Sequence, residues 1–200
     1  MTIFNIALTL LSYILGSIPF GLLLTFHFTG KDVRTLGSGN IGSTNVKRVA
    51  GFKVSLYTQL CDMAKGLIPV LTCLVLSRYY ADYFSQYSIY AVALATILGH
   101  NFSLFLRLKG GKGVNTTLGA SLLIAPLSVF IGVVCYFIVK YLFKYVSLGS
   151  LFLAISLPVS WSILQSANIT FYYLMICTLL IIFTHKSNLK RLMDSKELNG

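Results

Sequence analysis

The sequence is short of acid. Asp32, Asp62, Asp82, Asp194 and Glu197 supply every side-chain carboxylate in 200 residues, against 16 lysines and arginines. No pair among them suggests a divalent-metal site, so no metal is expected, and no cofactor is expected either. No Ser-His-Asp arrangement can be drawn from so few acids either. Cys61, Cys73, Cys135 and Cys177 are widely separated, without a C-x-x-C pair or a Cys/His zinc spacing, and read as buried free thiols. Charged residues of both signs make up only 10% of the chain, against about 25% in soluble domains, which excludes an ordinary soluble fold.

What fills the chain instead is apolar, with 56% hydrophobic residues and a mean hydropathy of +0.80. Nearly all of it divides into runs of the roughly 20 residues that cross a hydrocarbon core. The first run has no positive n-region and no small-residue cleavage site, so it is expected to be a retained helix. There is no internal repeat and no low-complexity linker. The expectation is an all-α integral membrane protein, a single transmembrane domain over residues 1–200. The net charge of +11 sits in short loops between the apolar runs, not in a stripe, which argues against nucleic acid and for the positive-inside rule.

That rule orients the helices. Helix one is expected over Ile3–Phe28 with its N-terminus outside, followed by an inner loop from Gly30 to Lys53 holding Lys31, Arg34, Lys47 and Arg48. Helix two runs to Leu76, with Asp62 and Lys65 on one face as a structural ion pair, and Arg78 and Asp82 make a neutral outer loop. Helix three spans Tyr87–Leu106 and returns inside at Arg107, Lys109 and Lys112. The 27 residues between Lys112 and Lys140 suit one crossing by length. Both lysines belong on one side by charge, so two short helices turning near Pro126 are expected. Helix six over Val146–Gln165, an outer turn at Asn168 and helix seven over Ile169–Phe183 complete a compact bundle of seven, with the basic tail cytoplasmic.

Two inner loops carry chemistry. Ser38, Gly39, Asn40, Gly42, Thr44, Asn45 and Arg48 form a small-residue, amide-rich stretch, and Gly110, Gly111, Lys112 and Gly113 a second one. Glycine lets successive backbone N–H groups converge on one point, and a neighbouring cation holds a phosphoryl oxygen. The second loop lacks the spacing of a nucleotide-binding loop, so no nucleotide is implied; it equally suits a helix start capped by Thr116 or Thr117. His100 near the inner end of helix three serves packing as readily as catalysis. His185 and Asn188, three apart on a helix, would point the same way and orient a substrate. His27 and Asp32 fit an H-x-x-x-x-D pattern, but the proline-glutamate-glycine motif that accompanies it in acyltransferases is missing.

These motifs together resemble the bacterial acyl-phosphate glycerol-3-phosphate acyltransferases (the PlsY family). The likeness runs end to end: Gly16-Ser17-Ile18-Pro19-Phe20-Gly21, Ser38 to Arg48, Asp62 with Lys65-Gly66, Gly99-His100, Lys109 to Gly119, Val146 to Ser150, and His185 to Leu192, closing on Glu197. The family commonly has alanine at positions 43 and 115, proline at 103 and glycine at 195, where this chain has Ser43, Asn115, Ser103 and Ser195. The resemblance implies seven transmembrane helices in the bacterial cytoplasmic membrane, open to the cytoplasm. It implies acyl phosphate and glycerol 3-phosphate as substrates, membrane lipids as surroundings, and a monomer. It gives substrate contacts to Ser38, Asn45, Arg48, Lys112, Ser150, His185 and Asn188, and maps Gly110, Gly111 and Gly113 onto the acyl-phosphate loop. A transporter of a phosphorylated solute is the alternative; the scarcity of charge deep in the spans argues against it, and solute flux in liposomes would separate the two.

Overall fold

The computed structural model describes residues 2–198, and these are all helical apart from turns and loops. They divide into two compact units, Met1–Leu123 and Ile124–Gly200.

The first unit opens with α1 (Ile3–Ser17) and α2 (Phe20–Thr29), where one unbroken helix is expected from hydropathy. The break falls at Ile18-Pro19, because proline lacks an N–H and drives its predecessor out of the helical region; Ile18 has ψ 119°. Next comes α3 (Ser43–Tyr79), which starts well before the expected end of the inner loop. It bends sharply at Gly51, whose φ of 85° and ψ of 178° glycine alone tolerates, so a short polar helix over 43–50 precedes the membrane segment. The Ser55 hydroxyl donates to the Ser43 carbonyl (2.8 Å) and ties the two pieces across the bend. α4 (Ser88–Asn101) packs along α1 and α3, and α5 (Val114–Ser121) packs on α3. At Gly66 on α3 and Gly119 on α5 an added Cβ would run into the carbonyls of Thr116 and Met63, so these two helices cross in backbone contact.

The second unit holds α6 (Pro126–Phe143), α7 (Val146–Leu164), α8 (Ile169–Thr184) and α9 (Lys186–Met193). The interval between Lys112 and Lys140 therefore contains two helices, with Pro126 at the first position of the second. They are unequal: α5 has eight residues and α6 eighteen. α7 packs against α6 and α8, and the Thr178 hydroxyl of α8 donates to the Ala154 carbonyl of α7 (2.6 Å). Asn168 caps α8, accepting from the N–H groups of Thr170 and Phe171.

Five helical segments are long and apolar enough to cross a membrane, or six if the bent pair of α8 and α9 is one span. Their outward faces carry Leu11, Leu60, Phe130, Phe137 and Leu179, each more than half exposed, which suits lipid contact in a multi-pass membrane protein. All four cysteines are free; Cys73 and Cys177 are buried as expected, whereas Cys61 and Cys135 are only half-buried.

Candidate phosphate-binding site

The first glycine loop rests on an apolar floor, since Val33, Ile41 and Val46 are buried with Val54 and Leu106. Above the floor one side chain holds the backbone. Asn45 is 2% exposed, accepts from the Ser38 N–H through Oδ1 (2.8 Å), and points Nδ2 at the carbonyls of Val33, Leu36 and Asn40 (3.1, 3.0 and 3.0 Å). Its amide is engaged by the loop, so what Asn45 supplies is loop shape. Gly39 turns with φ 70°, and Asn40 Oδ1 accepts from the Gly42 N–H (2.8 Å). Gly42 is the N-cap of α3 and offers no side-chain cap; the Asn45 N–H donates to its carbonyl (3.0 Å), so the side chains cap neither the Ser43 nor the Thr44 N–H. Ser38 and Thr44 are half-buried beside this helix start, and Arg48 is exposed one turn further on.

His27 is exposed, with its ring edge-on to Phe28. The Asp32 carboxylate is gripped by Arg34, with Nε to Oδ1 at 3.0 Å and Nη2 to Oδ2 at 2.6 Å. Those hydrogen bonds hold its pKa down at about 2. A carboxylate so engaged is not orienting His27 as a base.

The second loop docks on the end of α4. The Gly110 N–H donates to the Asn101 carbonyl (3.1 Å) and the Gly111 N–H to the His100 carbonyl (2.9 Å). The His100 ring, 4% exposed, lies against Gly111, and its Nδ1 is 3.6 Å from Asp62 Oδ1. Asp62 pairs with Lys65 Nζ at 3.0 Å, and Lys65 also donates to the Ile18 carbonyl at 2.8 Å, a group released by the break before Pro19. A buried polar pillar thus runs from that break through Lys65, Asp62 and His100 to the loop that carries Lys112. The ion pair expected from sequence is present, and its connection to the glycine loop is what sequence reasoning missed. Gly113 is the N-cap of α5 at φ 81°, again without a side-chain cap. Thr116 and Thr117 are fully buried and cap nothing, contrary to expectation, because α5 starts earlier than a threonine cap requires.

The two loops meet. Asn115 in the first turn of α5 donates to the hydroxyl of Ser43 in the first turn of α3 (3.2 Å). Two uncapped helix starts, each preceded by glycines and accompanied by a cation, are therefore neighbours. Helix N-termini favour neighbouring negative charge.

In the second unit Ser150 is buried, its hydroxyl donating to the Val146 carbonyl (3.0 Å). His185 is not inside the tail helix as expected but at the 59° bend between α8 and α9. Its Nδ1 lies 2.8 Å from the Ile181 carbonyl, so that nitrogen carries the proton. Asn188 Nδ2 donates to Glu197 Oε1 (2.6 Å) and Arg191 Nε to Glu197 Oε2 (2.8 Å), folding the tail back on α9. Ser195 makes that turn at φ 54°, a conformation glycine adopts more easily.

Burial pushes the Glu197 carboxyl up, but the hydrogen bonds from Asn188 and Arg191 and the Arg191 charge outweigh it and leave it below the ordinary value. A depressed carboxylate stabilises the docked tail fully above its unfolded pKa of about 4.3 and loses that contribution as pH falls through the folded value. The protection of amides 194–198, their exchange measured against the intrinsic rate at each pH, should thus be high at neutral pH and fall in acid. Glu197→Gln should abolish the acid-dependent step.

A family model described as glycerol-3-phosphate acyltransferase matches residues 6–195. The chain is 46% identical over 190 residues to a glycerol-3-phosphate acyltransferase of Clostridium acetobutylicum, covering 94% of this chain and 96% of the relative. It is 40% identical over 193 residues to one from Geotalea daltonii, with 96% of each chain covered. Among solved structures it is similar to PlsY (YgiH), an integral membrane glycerol 3-phosphate acyltransferase, in its glycerol 3-phosphate form. The TM-score is 0.88 at 30% identity, over 98% of this chain and 95% of that one. The lysophosphatidic acid form of PlsY gives a TM-score of 0.83 at 29% identity, over 98% and 94%.

Proposed function

The chain belongs to the glycerol-3-phosphate acyltransferase family, and on that premise we propose that it transfers a long-chain acyl group from acyl phosphate to the 1-position of glycerol 3-phosphate. The products are lysophosphatidic acid and inorganic phosphate, an early step of phospholipid synthesis. The observation that carries the reading is the junction of the two uncapped, glycine-led helix starts through Asn115 and Ser43. Both substrates bring phosphoryl oxygens, and two adjacent N–H-rich, cationic loops suit two such groups.

Acyl phosphate is a mixed anhydride with a good leaving group, so positioning can supply most of the rate. The C1 hydroxyl oxygen attacks the acyl carbon, the bond from that carbon to the phosphate oxygen breaks, and phosphate leaves with the electron pair and takes the hydroxyl proton. No protein carboxylate is needed as base, in keeping with the scarcity of acid. Arg48 and Lys112 neutralise phosphoryl charge, Ser38, Gly39, Asn40, Gly42 and Thr44 shape and line the first loop, and Gly110, Gly111 and Gly113 open the second to the acyl phosphate. Asn45 acts by holding the first loop. In the second unit, Ser150, His185 and Asn188 contact substrate.

In this reading residues 1–200 act as one domain with seven crossings, counting the short α5 as one and turning near Pro126. The N-terminus lies outside, the tail and site face the cytoplasm of a bacterial inner membrane, and the protein works as a monomer without cofactor.

Purified protein given glycerol 3-phosphate with acyl phosphate, acyl-CoA or acyl carrier protein as donor tests the reading. Lysophosphatidic acid should form with acyl phosphate in step with phosphate release; turnover only with another donor would refute it. Arg48→Ala and Lys112→Ala should each lower kcat/KM by about 100-fold, as expected for removing a charge-stabilising group. His27→Ala should stay within about twofold of wild type, an effect no larger than a surface substitution gives.

A further inference from the structure

α5 is anchored to α3 at its middle, where Gly66 and Gly119 bring the backbones together. That crossing reaches Thr116 in the first turn of α5, but on α3 it falls at Met63 and Gly66, far along the helix from Ser43, so it does not itself join the two helix starts. The first turns are joined by Asn115 Nδ2 donating to Ser43 Oγ at 3.2 Å, and Ser43 is held in turn by Ser55 through its carbonyl at 2.8 Å. Ser43 is therefore a node linking the short polar helix over 43–50, the membrane segment of α3 and the start of α5. Ser43 and Asn115 are both half-buried at the mouth of the two loops.

We propose that Asn115 and Ser43 form a clasp that sets the separation of the two phosphate loops, and so the distance between the acyl carbon held by one and the hydroxyl presented by the other. The inference rests on the acyl-transfer reading and adds two positioning residues to it. Each loop keeps its own glycines and cation when the clasp is cut, so each substrate still binds. What is lost is their mutual register, on which the rate of a two-substrate transfer depends steeply.

The test is a double-substitution cycle on the full-length protein. Ser43→Ala and Asn115→Ala should each lower kcat by about fivefold, the kinetic weight of one hydrogen bond, while KM for each substrate stays within about twofold. The doubly substituted protein should lose no more than either single one, and Ser43→Thr, which keeps the hydroxyl, should stay near wild type. Multiplying effects, a loss confined to KM, or unchanged kcat in both single variants would overturn the clasp while leaving the acyl-transfer reading intact. Amide exchange over residues 36–42 and 109–113 gives a readout free of turnover. It should accelerate alike in both single variants and no further in the double one, and unaltered exchange would overturn the clasp. Absence of acyl transfer by the wild-type protein would instead refute the reading, and the exchange cycle would still decide whether the two residues are coupled.

Discussion

Lys65→Met is expected to cost about 3–5 kcal/mol, because it strands a carboxylate that has no access to water. Asp62 and Lys65 are each 2% exposed, and Lys65 is both the partner of Asp62 at 3.0 Å and the donor to the Ile18 carbonyl at 2.8 Å. Taking the ammonium away leaves a buried charge uncompensated and the Ile18 carbonyl with the Phe20 N–H (3.1 Å) as its remaining donor, so the stranded charge dominates the cost. Against a total stability of about 5–15 kcal/mol the loss is severe, and the folded fraction purified in detergent should drop sharply with a fall in Tm of about 10 °C. Asp62→Asn in the Lys65→Met background removes the stranded charge, so it should recover most of the lost Tm while leaving the His100 end of the pillar loosened. Wild-type Tm in Lys65→Met would contradict the account. Equal Tm in the single and double variants would show that the charge is not what the substitution exposes.

Hydropathy made the apolar elements legible wherever a polar residue marks their ends. α7 spans Val146–Leu164 against an expected Val146–Gln165, and α8 spans Ile169–Thr184 against Ile169–Phe183, with Asn168 supplying the cap. It failed where a helix is polar or an apolar run is broken. The segment 43–50 reads as loop because it contains Ser43, Thr44, Asn45, Lys47 and Arg48, yet it is helical and ends at the Gly51 bend. The first apolar run reads as one helix because hydropathy does not register the missing N–H of Pro19, although that single break provides the carbonyl on which Lys65 is seated.

The site was legible as residue types and much less so as roles. Asn45 stands among substrate-binding amides in the sequence, but its partners are the backbone of residues 33 to 40, a pairing that local spacing does not reveal. Ser43 and Asn115 stand 72 positions apart and look like two unrelated departures from alanine; in the fold one donates to the other. Ser195 departs from glycine at a position whose φ is 54°, so that departure carries backbone strain while the other two form a bond.

Gly111→Ala should lower kcat/KM by about 100-fold or more with little loss of folded protein, the scale of a reacting group displaced by about 1 Å. A methyl group on Gly111 would occupy the place of the His100 imidazole. The ring cannot step aside, being 4% exposed and lodged against Asp62, so the loop must lift and carry Lys112 with it. His100→Ala clears that space, and Gly111→Ala combined with His100→Ala should therefore be more active than Gly111→Ala alone. Gly110→Ala supplies the control. A methyl group there would meet the backbone carbonyls of His100 and Asn101, which no side-chain truncation removes, so His100→Ala should not rescue it. Rescue of both variants, or of neither, would mean that the imidazole is not what sets the height of the loop. Rescue of Gly111→Ala alone would place the control of Lys112 in the contact between one glycine and one buried ring.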